Sequence, residues 1–319
     1  MAPSEQTGRL RTVTGSIDAS SVSGPVLAHE HLQLDLRWPS HPARLDSDPR
    51  RWLDEEKAVT AELTGLRTDH GVGLVVDLTC SGIGRNAAAL SRMAAGSRVA
   101  VVAATGLFAG PFHPSYVDDA DEVKLAERLL AEIGFGLDGT SVLPGVIGEV
   151  GTWGDVPTAA EERCLRGAAR AAEYSGLSVA AHGRPGLALL EVLTGAGLAP
   201  GRIAITRQDL SDDPAALRKI AENGAYVSFS LLPSDPDAAT APLETRIRPV
   251  LDLLDAGHAD RVLLSSGVTR MTQITRYDGP GYAHLFNTVL PALRAAGADD
   301  ATLTQVLHRN PLAWLTTAS

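Results

Sequence analysis

Apolar runs too continuous to be half-exposed alternate along this chain with stretches whose apolar residues recur every three or four positions. The runs lie at residues 26–31, 73–79, 99–105, 145–149, 178–182, 203–207, 226–231 and 262–266. They have the length of strands and lack the polar alternation of a sheet with one wet face. The stretches between them carry helix signals. Asp48 precedes a run holding Leu53, Val59, Leu63 and Leu66, Thr158 and Glu161 form a capping box, and Asp213-Pro214 opens another helix with proline at its first position. Gly71, Gly134, Gly176, Gly224 and Gly297 follow helical patterns, where a left-handed residue ends a helix most cheaply. Eight buried strands alternating with amphipathic helices predict an α/β fold, a closed parallel (β/α)8 barrel. The pattern reads as one domain over 1–319, with 1–24 a polar leading segment holding a small hairpin around 11–17 and 299–314 an extra helix under the barrel. The segments 232–242 and 267–281, after the seventh and eighth strands, are long connections of the kind that build substrate pockets.

Composition changes this picture little. The 319 residues are 44% hydrophobic and 21% charged, an ordinary globular balance, and aromatics at 4% leave alanine, glycine, leucine and valine to fill the interior. The dominance of arginine among the basic residues fits a GC-rich coding genome. A net charge of −10 without a basic stripe excludes nucleic acid or an anionic membrane as the main partner. Cys80 and Cys164 stand far apart in apolar surroundings and read as buried thiols. The first 23 residues are polar, with neither a secretory signal nor a membrane span, so the expectation is a cytoplasmic protein. No G-x-G-x-x-G follows the first strand, which weakens a dinucleotide-binding alternative.

In such a barrel the strand C-termini converge on one rim, so polar residues that close apolar runs become neighbours. Those ends carry His29 and His31, Thr105, Glu149, His182 and Arg207. Residues two apart on a strand project from one face, so His29 and His31 point together while Glu30 points away. An isolated pair of this kind is as readily two core histidines as a metal site, but a third imidazole and a carboxylate on the same rim favour a site. Ser81, Ser265 and Ser266 lack a nucleophile-elbow context. Arg85 closing a loop by hydrogen bonds, and loop or surface roles for His113 and His284, are the expected readings of those residues. Phe108, Trp153 and Tyr282 are candidate apolar walls, and Arg184 and Arg270 candidate substrate contacts. The last connection, with Arg270, Arg276 and Tyr277, leads as the determinant of substrate choice.

These residues carry a resemblance. Leu27-Ala28-His29-Glu30-His31-Leu32, Val76-Asp77-Leu78-Thr79, Gly82-Ile83-Gly84-Arg85, Ala104-Thr105-Gly106, Gly145-Val146-Ile147-Gly148-Glu149-Val150-Gly151, His182, Tyr277-Asp278-Gly279-Pro280-Gly281-Tyr282 and Asn310-Pro311 together resemble the phosphotriesterase-like branch of the amidohydrolase superfamily. The resemblance implies a (β/α)8 barrel, usually dimeric, with a two-metal centre that hydrolyses phosphoesters, lactones or related bonds. It assigns His29 and His31 to the first metal, Glu149 to the bridging place and His182 to the second metal. Two positions depart from it. The histidine after strand six is Arg207, and the aspartate after strand eight is Gly267.

Arginine offers no lone pair, so one divalent ion at most, zinc or another, is expected. Arg207 is expected to pair with Glu149 in place of the second cation. Three functions follow from the departures. The first is a mononuclear hydrolase of an ester, lactone, amide or phosphoester, with metal on His29, His31 and Glu149 and with His182 and Arg207 assisting. The second is a metal-free lyase, isomerase or cyclase working by acid/base chemistry, and the third a non-catalytic binding protein on the same fold. The expected partner is a small molecule, plausibly anionic.

Overall fold

The structure, a computed structural model, describes residues 8–37, 52–232 and 241–316. A hairpin of β1 (Arg9–Thr12) and β2 (Gly15–Asp18) leads into β3 (Val26–Glu30), the first barrel strand. Two short antiparallel strands, β4 (Leu34–Asp35) and β5 (Trp52–Leu53), precede α1 (Glu56–His70). There follow β6 (Leu74–Asp77), α2 (Ala87–Ser97), β7 (Ala100–Thr105), α3 (Tyr116–Asp119), α4 (Glu122–Phe135), β8 (Val146–Gly151) and α5 (Ala159–Ser175). The second half runs β9 (Val179–His182), α6 (Gly186–Gly195), β10 (Ile203–Thr206), α7 (Pro214–Glu222), β11 (Tyr226–Ser230), α8 (Leu243–Asp255) and β12 (Val262–Ser265). Then come α9 (Leu290–Ala295), α10 (Asp300–Thr304) and α11 (Asn310–Leu315), with π-helical turns at Leu285–Val289 and Gln305–Arg309. The eight parallel strands neighbour one another in the order β3-β6-β7-β8-β9-β10-β11-β12, a (β/α)8 barrel.

Each predicted run is a strand with bounds within two residues of those expected. The capping box at Thr158 and Glu161, and the Asp213 cap on α7, form as the sequence indicates. Two expectations need correction, and a third lies outside the described residues. The helix expected after Asp48 begins at Glu56, with Leu53 in β5, and Asp48 itself lies outside the described residues. Gly134 sits inside α4, whose end is Gly136. Of the connection 232–242, residues 233–240 lie outside the described residues.

Alternation sets what each strand residue faces. Val26, Ala28, Leu74, Val76, Val102, Ala104, Val146, Ala180 and Ala204 pack together inside the barrel, while Leu27, Val75, Val101, Ala103, Ile147, Val179, Ile203 and Ile205 pack outward with the helices. Trp314, Leu312 and Leu315 of α11 and Leu10 of the hairpin belong to the interior cluster and close the barrel's lower end. Strict alternation after Val26 and Ala28 would turn Glu30 inward and both histidines out. A bulge reverses this: the partners Leu27↔Val75 and Glu30↔Asp77 set three steps of β3 against two of β6. In β8 the same device sets Ile147↔Val179 against Val150↔Ala181, so Val146 and then Glu149 face inward. One inserted residue flips every side chain beyond it to the other face.

Side chains join the ends of the strand order, β3 and β12. The fully buried Glu30 carboxylate accepts hydrogen bonds from Ser265 Oγ (2.8 Å) and from the backbone N–H groups of Ser266 (2.8 Å), Gly267 (2.9 Å) and Val268 (3.0 Å). The His29 N–H donates to the same Ser265 hydroxyl (3.1 Å). Burial raises the Glu30 carboxyl above its usual range, and these four donors act against that rise. Glu30 is thus the closing contact of the barrel at the rim where the candidate residues stand.

Candidate active site

The two bulged strands and their neighbours deliver His29, His31, Glu149, His182 and Thr206 to one point. His29 Nε2 stands 3.3 Å from Glu149 Oε1 and His31 Nε2 3.7 Å from Oε2, with the two imidazoles edge to face at 5.3 Å between ring centres. His182 Nδ1 is 3.1 Å from Oε1, and the Thr206 hydroxyl also donates to that oxygen. Glu149 hangs from Gly148 at φ +139°, where a Cβ would lie 2.5 Å from the Ala180 carbonyl oxygen, so only glycine fits. The Gly148–Glu149 peptide is cis. The Cys80 thiol donates to the Glu149 carbonyl at 3.1 Å and is spent there. Burial would raise the Glu149 carboxyl, but His29 and His182 outweigh it and hold it well below the usual range.

Hydrogen bonding behind the rings decides what they offer in front. Thr79 Oγ1 lies 2.7 Å from the Gln33 carbonyl and 3.4 Å from an Asp77 carboxylate oxygen, both acceptors, and 2.9 Å from His31 Nδ1. A hydroxyl has one proton, so it accepts from His31 Nδ1–H, and His31 Nε2 keeps its lone pair toward Glu149. Burial pushes the His31 imidazole down to about 3, which keeps it neutral as a ligand must be. His29 Nδ1 is likewise engaged behind, 3.1 Å from Ser230 Oγ.

The ligand atoms of His29, His31 and Glu149 lie within 4.8 Å of one another, the one such cluster among the described residues. Two imidazole lone pairs and a carboxylate, aimed at one buried point, fit a single divalent cation with places left for water and substrate. The two positions that depart from the resemblance add no ligand: Arg207 has no lone pair to offer, and at Gly267, φ +75°, a Cβ would come 2.4 Å from Ser230 Cβ.

The expected pairing of Arg207 with Glu149 does not occur: among the described residues no carboxylate pairs with this guanidinium, and its Nε is buried without a hydrogen-bond partner. Glu149 is already occupied by His29, His182 and Thr206. Ile203 and Ile205 face the helices, and Arg207 would follow them outward had the strand continued. Its left-handed backbone, φ 61° and ψ 31°, turns it to line the cavity instead. For a residue with a Cβ that conformation costs about 1–2 kcal/mol.

The cavity over the cluster holds about 280 Å³. Phe108, Trp153, Arg184 and Arg270, the candidate walls and contacts, line it together with Leu34, Leu36, Ile83 and Thr269, which were not among the expected residues. Ile83 follows β6 in the Gly82-Ile83-Gly84-Arg85 motif, a signal that was present. Leu34 and Leu36 come two and four residues after Leu32 and could be foreseen only by continuing the first strand's face into its loop.

Tyr282 is not a wall of the cavity. It is fully buried behind it, its hydroxyl donating to the His31 carbonyl at 2.6 Å. Arg276 and Tyr277 point away, to Glu55. Arg85 is locked between Glu132 (2.7 Å) and Asp138 (2.8 Å). His113, expected in a loop or surface role, lies in the loop after Phe112, and His284 opens the turn at Leu285–Val289; both are buried rather than exposed.

Comparison with known proteins agrees with this geometry. The model of the Phosphotriesterase family matches residues 8–315. The phosphotriesterase homology protein of Escherichia coli (strain K12) is 32% identical, with 91% of this chain and 97% of that protein covered. Its crystal structure, complexed with phosphate in the active site, superposes with a TM-score of 0.86 over 93% of this chain and 100% of that one. Human N-acetyltaurine hydrolase is 27% identical over 98% of this chain and 99% of its own. A resiniferatoxin-binding protein from Rhodobacter sphaeroides, 32% identical, matches with a TM-score of 0.87 over 97% of this chain and 95% of that one.

Proposed function

The chain belongs to the phosphotriesterase family and is a hydrolase-like enzyme, and from that premise we propose that it hydrolyses an ester, lactone, amide or phosphoester bond of a small molecule with one divalent metal ion. The observation that carries the reading is the convergence of His29 Nε2, His31 Nε2 and the Glu149 carboxylate on one buried point, with the His31 tautomer fixed from behind by Thr79. Those three residues would hold the ion, which when bound supplies Lewis acidity to the bond under attack and to the attacking water.

The chain's own groups do the rest. His182 donates through Nδ1–H to Glu149, so its Nε2 keeps a lone pair on the cavity side, able to take a proton from water and return it to the leaving group. The Phe108 ring, 4.8 Å from the imidazole, holds that orientation. Phe108, Ile83, Leu34 and Leu36 give the cavity an apolar lining that excludes solvent, and Arg207 adds a fixed positive charge to it.

Metal analysis of protein purified without chelators tests the proposal. About one divalent ion per chain is expected, with its loss on H29A or H31A substitution and parallel loss of hydrolysis across a panel of esters, lactones, amides and phosphoesters. Hydrolysis undiminished at well under one ion per chain would overturn it. The chemistry would then pass to Glu149 and His182 acting as acid and base alone.

A further inference from the structure

The charges around the cavity run against those of the molecule. The chain carries a net charge of −10, yet the cavity is lined by Arg184, Arg207 and Arg270 against a single carboxylate, Glu149, which three imidazoles enclose. The strand-eight rim adds no negative charge, because Gly267 has no room for a side chain. The arginines are not equivalent. Arg184 is exposed and pairs with Asp212 at 3.5 Å, and Arg270 is buried with partners of its own. Arg207 is half-buried, has no carboxylate and no hydrogen-bond partner among the described residues, and is turned into the cavity by a left-handed backbone. A guanidinium is the side chain whose fork matches the two oxygens of a carboxylate, sulfonate or phosphate.

Arg207 lines the same cavity as the cluster and its charge reaches the His31 imidazole, yet it makes no ion pair with Glu149. Its guanidinium is therefore uncommitted among the described residues and open to an anion in the cavity.

Resting on the hydrolase reading above, we infer that Arg207 is the specificity residue for a substrate bearing a permanent oxyanion, a carboxylate, sulfonate or phosphate, a few bonds from the bond that is cleaved. The cavity is small, and besides Arg207 it offers the apolar side chains of Phe108, Ile83, Leu34 and Leu36. The substrate is accordingly a compact amphiphile with one apolar end and one anionic end. Product release would leave an anion on Arg207 and make oxyanions competitive inhibitors.

Calorimetric titration decides it, with inorganic phosphate and the pair butyrate and butyramide as probes. Each is titrated into wild type, R207Q and R207K, both metal-loaded and chelator-stripped, with metal content measured in the same samples. Wild type is expected to bind phosphate and to prefer butyrate over butyramide in both forms. R207Q should lose about tenfold or more in affinity for the two anions, and R207K should recover part of it. Metal content should be equal across the three proteins. Equal phosphate affinity in R207Q and wild type, or equal binding of butyrate and butyramide by wild type, would overturn the inference; the second comparison needs no variant to fold. Because the stripped protein is read as well, a failed metal proposal shows as low metal content with anion preference intact, and a failed anion proposal shows the reverse.

Discussion

Thr79 shows how much one hydroxyl decides at the scale of a residue. Its single proton goes to the Gln33 carbonyl or Asp77, so it can only accept from His31 Nδ1, and a ligand's tautomer is set 2.9 Å behind the ligand. T79V keeps the volume and removes the acceptor, so His31 becomes free to carry its proton on Nε2. Metal affinity in a chelator-competition titration should fall about 10–100-fold, with a loss of fold stability of about 1 kcal/mol from the missing hydrogen bonds. Unchanged affinity would mean that the tautomer is fixed by something other than Thr79. The sequence shows this threonine only as the last residue of the Val76-Asp77-Leu78-Thr79 motif, with no sign of its role. His29, His31, Glu149 and His182 are legible because polar groups that end apolar runs must share a barrel rim. The place of Tyr282 behind His31, and the burial of His113 and His284, are not legible, because the packing of connections follows from no periodicity.

At the scale of elements, the strands and most caps follow from alternation and end chemistry, and the decisive irregularities do not. Two bulges, in β3 and β8, put His29, His31 and Glu149 inside the barrel, and a reader counting strict alternation from Val26 would send the histidines outward. The closing contact through Glu30 is hidden for the same reason, since its partners are backbone N–H groups 236 to 238 residues away. The junction of β11 and β12 is where Gly267 stands in place of the aspartate that the resemblance implies, and its tightness can be measured. G267A places a Cβ in a left-handed conformation and 2.4 Å from Ser230 Cβ. The conformation alone costs about 1 kcal/mol and the overlap about 1–3 kcal/mol more. S230G removes the overlap together with the Ser230 bond to His29 Nδ1; the lost bond is common to both arms of a double-mutant cycle and cancels, so denaturant unfolding should show coupling of about 1 kcal/mol or more between the two positions. Additive losses would mean that the strand ends yield easily, and that the absence of an acid at 267 is no consequence of packing.

For the whole molecule, acidification sets two effects against each other. The chain carries −10 at pH 7 and its isoelectric point is near 5.4, so lowering the pH relieves self-repulsion and favours the fold. That repulsion is spread over the surface and screened by salt beyond about 8–10 Å. Against it stand histidines buried in neutral form. His113 and His284 both lie outside the active site and lack a partner at Nε2 among the described residues, and His284, between the end of β11 and Arg246 of α8, is held beside a guanidinium. Burial first, and then the Arg246 charge, push its imidazole from the ordinary 6.5 down to about 4. The sign follows from which state binds the proton. Below pH 6.5 the unfolded chain takes up a proton that the folded chain refuses, so the contribution of His284 is whole above pH 6.5 and is lost as the pH falls toward 4. A local linkage of this kind is not screened as the surface charges are. Wild type should therefore lose thermal stability between pH 6.5 and 4 even as its net charge approaches zero. H284Q, neutral throughout, separates the two effects, because it keeps the surface repulsion and drops the linkage. The difference in Tm between wild type and H284Q should be constant above pH 6.5 and move steadily against wild type on acidification. Parallel curves down to pH 4.5 would show that His284 charges in place, and that the region around Leu231 and Arg246 opens to admit the proton.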